Sequence, residues 1–197
     1  MSNSVSLSDL MNVCYPEVVK LFQFIVLDKI KGFLKLSEDD VTFEQATPAD
    51  RFSYGERLII FLVAGRDIRL TIKVHYNASE TRGLIVHKRM ENKEEGEALE
   101  SIFSEFGNLI SGGIKHELIE MGYVVGISLP IAASAYDEII SSDKLIKDRT
   151  YSYVTVKSNN VKFVLTLTMD AEERKGVTDF VFDASHFEKN EEDDGFL

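Results

Sequence analysis

Glu105 and Asn108 are the residues whose types and spacing could do chemistry, within the stretch SIFSEFGNLISGGIKHELIEMGYVVGISLP from Ser101 to Pro130. On a helix turning by about 100° per residue, positions three apart project side by side. A carboxylate can pair with a cation. A carboxamide can accept one hydrogen bond while donating another, so it can hold a water without being ionised. Ser101, Gly112 and Lys115 fall on the same stripe, while Leu99, Ile102, Phe106, Leu109, Ile110 and Gly113 fall on the other side. One face can anchor the helix and the other can act. The plain alternative is a solvated face, the usual state of Glu and Asn on an amphipathic helix. Gly112 and Gly113 could equally let two long helices cross closely.

Other chemistries find little support. His75, His87, His116 and His186 are scattered and make no pair at metal-ligand spacing. No metal site is expected. The sequence contains no GxSxG, Walker loop or GxGxxG. A single cysteine, Cys14, cannot form an internal disulfide, which suits a reducing compartment. The formal net charge of −11 argues against a nucleic-acid partner. No signal peptide is read at the N-terminus, and Val18 to Leu36 is interrupted by Lys20, Asp28, Lys29, Lys31 and Lys35, so membrane insertion is not expected. The expected location is the cytoplasm.

The elements that must position the stripe follow from periodicity. A first helix is predicted from near Ser8 to Ser37, with Pro16 either starting the main run at its first turn or kinking it, and with Val18, Val19, Phe22, Ile25, Val26, Ile30 and Phe33 facing the core. Asp40 to Ala46 alternates as a strand before Pro48. RLIIFLVAGRDIRLTIKVHY reads as a hairpin turning at Gly65 to Asp67, where positive φ is available. Ser79 to Met90 reads as a short helix capped by Ser79, with Thr81, Leu84, Ile85 and Lys88 placed for helical contact, although LIV alone could also be strand. The long helix opens after acids at Glu94, Glu95 and Glu97 and stops at Gly122. Tyr123 to Leu129 is expected as a strand. Tyr151 to Val156 and Val161 to Met169 form a second hairpin, followed by a β-like segment at Asp179 to Phe182 and an acidic run, Glu188 to Asp194, that reads as a disordered, solvated tail.

Each half therefore runs long helix, strand, proline, loop, hairpin, from Ser8 to Tyr76 and from Glu94 to Met169. The fold class expected is α+β: two pseudo-symmetric helix-then-strands halves forming one mainly antiparallel sheet with long helices packed on it. Setting Pro48 against Pro130 places Gln23 at the position of Glu105 and Val26 at that of Asn108. The first half lacks the polar pair.

Ser101, Glu105, Asn108 and Pro130 together resemble the signature of the CheC, CheX and FliY family of chemotaxis phosphatases. That signature sets three residues between Asp or Ser and Glu, two between Glu and Asn, and 21 between Asn and Pro, and all of these spacings occur here. The resemblance covers roughly Ser8 to Met169, so residues 1–170 are assigned to one CheX-like phosphatase domain and 171–197 to a C-terminal extension. CheC-like members carry the Glu and Asn pair in both halves and CheX-like members once, which makes this chain CheX-like in site number. The long acidic end and PIAASAY after the proline depart from the pattern.

The resemblance implies hydrolysis of the aspartyl phosphate of a CheY-type response regulator. Asn108 would position the attacking water and Glu105 would pair with the regulator's lysine, with Ser101, Gly112 and Lys115 meeting the partner. No cofactor would be bound by this chain, Mg²⁺ belonging to the regulator, and a homodimer is implied. A non-catalytic binding module for a response regulator or flagellar switch component, acting through the same helix, is the competing reading.

Overall fold

The computed structural model describes residues 16–44, 55–66, 68–134, 150–158, 161–171 and 180–184. Helix α1 spans Pro16–Lys29 and continues as a π-turn over Ile30–Leu34. Strands β1 (Val41–Glu44), β2 (Arg57–Gly65) and β3 (Ile68–Tyr76) follow. Two short helices come next, α2 (Ala78–Thr81) and α3 (Gly83–His87), and then the long α4 (Glu95–Glu120). The chain continues through β4 (Val125–Ile127), β5 (Ile131–Ser134), β6 (Thr150–Ser158) and β7 (Val161–Ala171). The predicted helix start near Ser8, Cys14, the end of the first strand at Ala46 and the acidic tail lie outside the described residues.

All described pairings are antiparallel, in the order β1-β6-β7-β3-β2-β4, with β5 also on β2. The order is a palindrome. The two hairpins meet at β3 and β7, and each half lends its lone strand to the other half's hairpin: β1 pairs β6, and β4 with β5 pair β2. The α+β architecture with two related halves is thus the one expected.

Both long helices pack on one face of the sheet. Strand residues Phe61, Ile72, Val74, Phe163, Leu165 and Leu167 meet Phe22, Ile25 and Val26 of α1 and Ile102, Phe103 and Phe106 of α4 in a single core cluster. Phe103 sits 4.5 Å from Tyr76 and 5.1 Å from Phe163, centroid to centroid. Each such ring, fully buried, contributes about 1.5–3 kcal/mol.

Several local expectations change. Gly65 does not adopt positive φ; it is required because a Cβ there would run into the carbonyl oxygen of Val124, the residue before β4. Ser79 is not a cap, since the N-cap position of α2 is Asn77. The Asn77 amide instead accepts the Glu56 N–H (2.8 Å) and donates to Glu80 (2.6 Å), and the helix breaks at Arg82 into two pieces. The strand predicted to run to Leu129 stops at Ile127, and Ile131–Ser134 is a strand that the sequence pattern did not suggest. The two form one interrupted edge strand. Ser128, Leu129 and Pro130 stand opposite only Phe61 and Leu62 of β2. At this bulge Ser128 Oγ accepts the Leu62 N–H (3.0 Å), bridging the gap in the ladder that Pro130, having no N–H, cannot fill. Residues 180–184 are not a strand; Phe182 lies 5.4 Å from the Phe24 ring, and its N–H donates to Glu17 (3.0 Å). Lys20 and that N–H together hold the Glu17 carboxyl below its usual range.

Candidate functional site

The site stands on α4, and both ends of that helix have identifiable causes. At its start, Glu95 and Glu97 sit where the helix dipole favours negative charge. Arg82 grips Glu95 through two parallel bonds, Nε to Oε1 (3.0 Å) and a terminal nitrogen to Oε2 (2.7 Å). The guanidinium holds the Glu95 carboxyl below its usual range, and the carboxylate raises Arg82. This fork ties the break between α2 and α3 to the opening turn of the site helix. At the other end Gly122 takes φ 89°, with Gly122 N–H bonded to Ile119 O and Tyr123 N–H to Leu118 O, both 2.9 Å. These are the paired bonds of a Schellman stop, as the position of the glycine predicts.

The underside of α4 is buried through Leu99, Ile102, Phe103, Phe106, Ile110, Ile114 and Leu118. Leu109 and Gly113, expected among them, are only half-buried, because the contact surface turns towards Phe103 and Gly107. Gly107 is the decisive small residue. A Cβ there would overlap the Phe61 ring of β2, so the helix can seat this close to the sheet only with glycine. A glycine inside a helix costs about 1 kcal/mol relative to alanine, and that cost was the available sequence signal.

On the opposite side the predicted stripe is intact. Ser101, Glu105, Asn108, Gly112 and Lys115 span an arc of about 80°. Glu105 and Asn108 are exposed, and Ser101, Gly112 and Lys115 are half-buried. Ser101 Oγ accepts a bond from Lys93 (3.3 Å), which fixes it at the start of the stripe. The two glycines of SGG divide the roles left open by the sequence. Gly113 faces α1, where a Cβ would come 3.2 Å from Ile25, whereas Gly112 has no neighbour within 4 Å of a Cβ. Gly112→Ala is therefore expected to raise stability by about 1 kcal/mol through helix propensity alone, measurable as a higher urea midpoint; a loss of stability would place an unseen neighbour at this position.

One neighbour of the site was not legible as such. Lys88, at the end of α3, donates to the Phe33 carbonyl (2.8 Å) and lies 3.4 Å from the centroid of the Phe33 ring. That ring stacks on Phe106, the residue after Glu105, at 6.5 Å. Burial and the nearby Lys35 lower the Lys88 pKa, opposed by the attraction of Glu105. The Lys88 ammonium thus stands within the field of the site carboxylate.

Glu105 and Asn108 stand exposed on the helix surface. A groove of about 430 Å³ opens elsewhere, lined by Arg57, Leu58 and Tyr76 with Glu100 and the β5 residues Ala132 to Ser134. Burial pushes the Tyr76 hydroxyl up, opposed by Arg57. A small substrate would be expected in a concavity, whereas a pair on an open helix face suits a macromolecular one. Among the described residues no group of three or more His, Cys, Asp or Glu side chains could hold a metal ion, and no helix is long and apolar enough to cross a membrane.

No sequence-family model and no curated protein matches the chain. Solved structures do. A CheC-like superfamily protein from Shewanella sp. PV-4 shares 13% identity over 79% of this chain and 98% of its own, with a TM-score of 0.59. A chain of the CheX-CheY-BeF3-Mg²⁺ complex from Borrelia burgdorferi shares 14% identity over 77% of this chain and 96% of its own, with a TM-score of 0.60. The fold is the CheC/CheX fold. CheX from Vibrio vulnificus gives 14% identity, 78% and 99% coverage and a TM-score of 0.55. At these identities the likeness is one of architecture, and it extends over almost the whole of each CheC-like or CheX chain. Within this CheC/CheX fold the first-half counterparts of the site pair carry no matching chemistry: Gln23 is half-buried and Val26 is buried in the core.

Proposed function

We propose that the chain is a CheX-like phosphatase, hydrolysing the aspartyl phosphate of a CheY-type response regulator. The observation that carries this reading is the exposed Glu105 and Asn108 pair, side by side on a helix whose other face is locked to the sheet. The shared fold and the complex formed by the CheX of Borrelia burgdorferi with CheY support the choice of partner.

Acyl phosphate hydrolysis needs in-line attack by water on a phosphoryl group whose charge is already neutralised. The regulator's Mg²⁺ and lysine supply that neutralisation, so this chain needs no cofactor of its own. Asn108 supplies the missing part: its carboxamide oxygen accepts a hydrogen bond from the water, aiming a lone pair at phosphorus. Its amide nitrogen is left to donate towards the phosphoryl oxygens. Glu105 is a poor base for a water of high pKa, and its part is to pair with the regulator's lysine and so hold α4 over the phosphoryl group. Gly112 admits the partner's backbone, while Ser101 and Lys115 flank the contact.

The same reading includes a homodimer formed through the sheet edge. Ile127, Leu129 and Ile131 are 36%, 85% and 48% exposed along β4 and β5, and among the described residues that edge pairs only with β2. A sheet edge carrying exposed apolar side chains invites a second copy. Cytoplasmic location follows from the regulator as substrate.

The test is phosphate release from a radiolabelled, phosphorylated regulator. The chain should accelerate the loss of label above the regulator's own rate. Regulator binding with no acceleration would favour the non-catalytic binding module instead.

A further inference from the structure

Cations gather on one flank of the Glu105 stripe, on a chain whose formal net charge is −11. Lys35 follows the π-turn of α1 in the left-handed region (φ 58°), its N–H bonded to Ile30 O. Arg89, beside Lys88, is also left-handed (φ 56°). Among the described residues these are the only non-glycine positions with positive φ, and both are exposed cations. Lys88, which reaches the Phe33 carbonyl and ring two residues before Lys35, is close enough to Lys35 for their charges to repel and close enough to Glu105 for attraction.

This arrangement is costly in the free protein. Like charges are held together, and two side-chain-bearing residues occupy backbone regions that are disfavoured for L-amino acids. An anion brought to this flank would relieve the repulsion. Lys88 is also pre-organised for one, because the Phe33 carbonyl and ring already restrict its ammonium, so less side-chain entropy remains to be lost on binding.

We propose that Lys88, with Lys35 beside it, is a cationic dock for the carboxylates surrounding the partner's phosphorylated aspartate. The proposal rests on the regulator-binding reading of the site. A site that holds Mg²⁺ must present carboxylate oxygens, so a receiver surface offers both a lysine and acidic groups around one phosphoryl group. Glu105 takes the positive group and Lys88 the negative ones. Two contacts of opposite sign fix the orientation of α4, where one alone would leave it free to pivot. The negative charge of the rest of the chain discourages an extended polyanion such as nucleic acid, and a short cationic flank suits a compact acidic site.

The experiment titrates the 197-residue chain against the organism's own CheY-type regulators, loaded with beryllium fluoride and Mg²⁺, at low and high salt. Lys88→Met keeps the apolar stem over Phe33 and removes the charge. It is expected to weaken binding about tenfold and to flatten the salt dependence, and, because α4 is then held by one contact, to lower phosphate release at saturating regulator as well. Lys35→Asn, which keeps a residue tolerant of left-handed φ, should weaken binding in the same direction and carries the test if Lys88→Met fails to fold. Wild-type affinity and salt slope in both variants would overturn the dock, as would the absence of any binding by the wild-type chain. Binding that depends on Lys88 without phosphate release would sink the phosphatase reading and leave the dock standing.

Discussion

Asn108→Ala is expected to slow phosphate release from a phosphorylated regulator by about 10²-fold or more, the scale of effect that follows when a reacting group loses its positioning. In barrier terms this is about 2.7 kcal/mol. Asn108 makes no contact that holds the fold: it is exposed, on the side of α4 facing away from the core. Stability and regulator binding should therefore survive the substitution, and the loss should fall on the rate at saturating regulator. Asn108→Asp separates the two halves of the amide. It retains an acceptor for the water but loses the N–H donor and adds negative charge beside a phosphoryl group, so it should fail about as completely. Glu105→Ala should behave differently, weakening binding as well as rate. Equal rates for Asn108→Ala and the wild type in a single-turnover release assay would remove Asn108 from the reaction.

The second large effect concerns the seat of that helix. Gly107 lies directly over the Phe61 ring with no space for a Cβ. Gly107→Ala would gain about 1 kcal/mol of helix propensity, but the overlap with a buried ring, itself 0% exposed, forces α4 or β2 to move. Overpacking of this kind costs about 1–3 kcal/mol, and Gly107→Val should lie at or beyond the upper end. Combining Gly107→Ala with Phe61→Leu should recover part of the loss, since the two positions share one volume and their effects will not add. Urea unfolding of the single and double variants gives the answer. A Gly107→Ala chain more stable than the wild type would mean that the helix does not sit where the geometry places it. Because Asn108 is the next residue, a lifted helix should also lower phosphate release in variants that remain folded.

The contrast between Gly107 and Gly112 shows what the sequence could and could not reveal. Both are glycines within one helix; spacing puts Gly112 on the polar stripe, but nothing in the sequence says that Gly107 lies against a ring of the sheet with no room for a Cβ. The stripe itself was legible because Ser101, Glu105, Asn108, Gly112 and Lys115 belong to one regular element, where spacing alone determines direction. The stop at Gly122 was legible for the same reason, being a local backbone event. Long-range partners were not. Lys88 reaches the site only because α3 packs against the end of α1, and no spacing between Lys88 and Glu105 encodes that. The strand at Ile131–Ser134 was missed because IAAS is short and small-residued, and its strand character comes from pairing with Arg57 to Ile60 of β2. Ser79 looked like a cap on composition, but Asn77 holds that position and its amide is engaged with Glu56 and Glu80.

The palindromic strand order bears on how the molecule is made. As the chain leaves the ribosome, β1 has no strand partner among the described residues until β6 follows, since Val41 pairs with Val156. The reverse exchange can come much earlier: β4 and β5, which follow α4 directly, are made before β6 and pair with β2. The helix that carries Glu105 and Asn108 can thus find its seat over Phe61 while the last hairpin is still missing. Neither half can be excised as a working module, because each would leave with the other's edge strand.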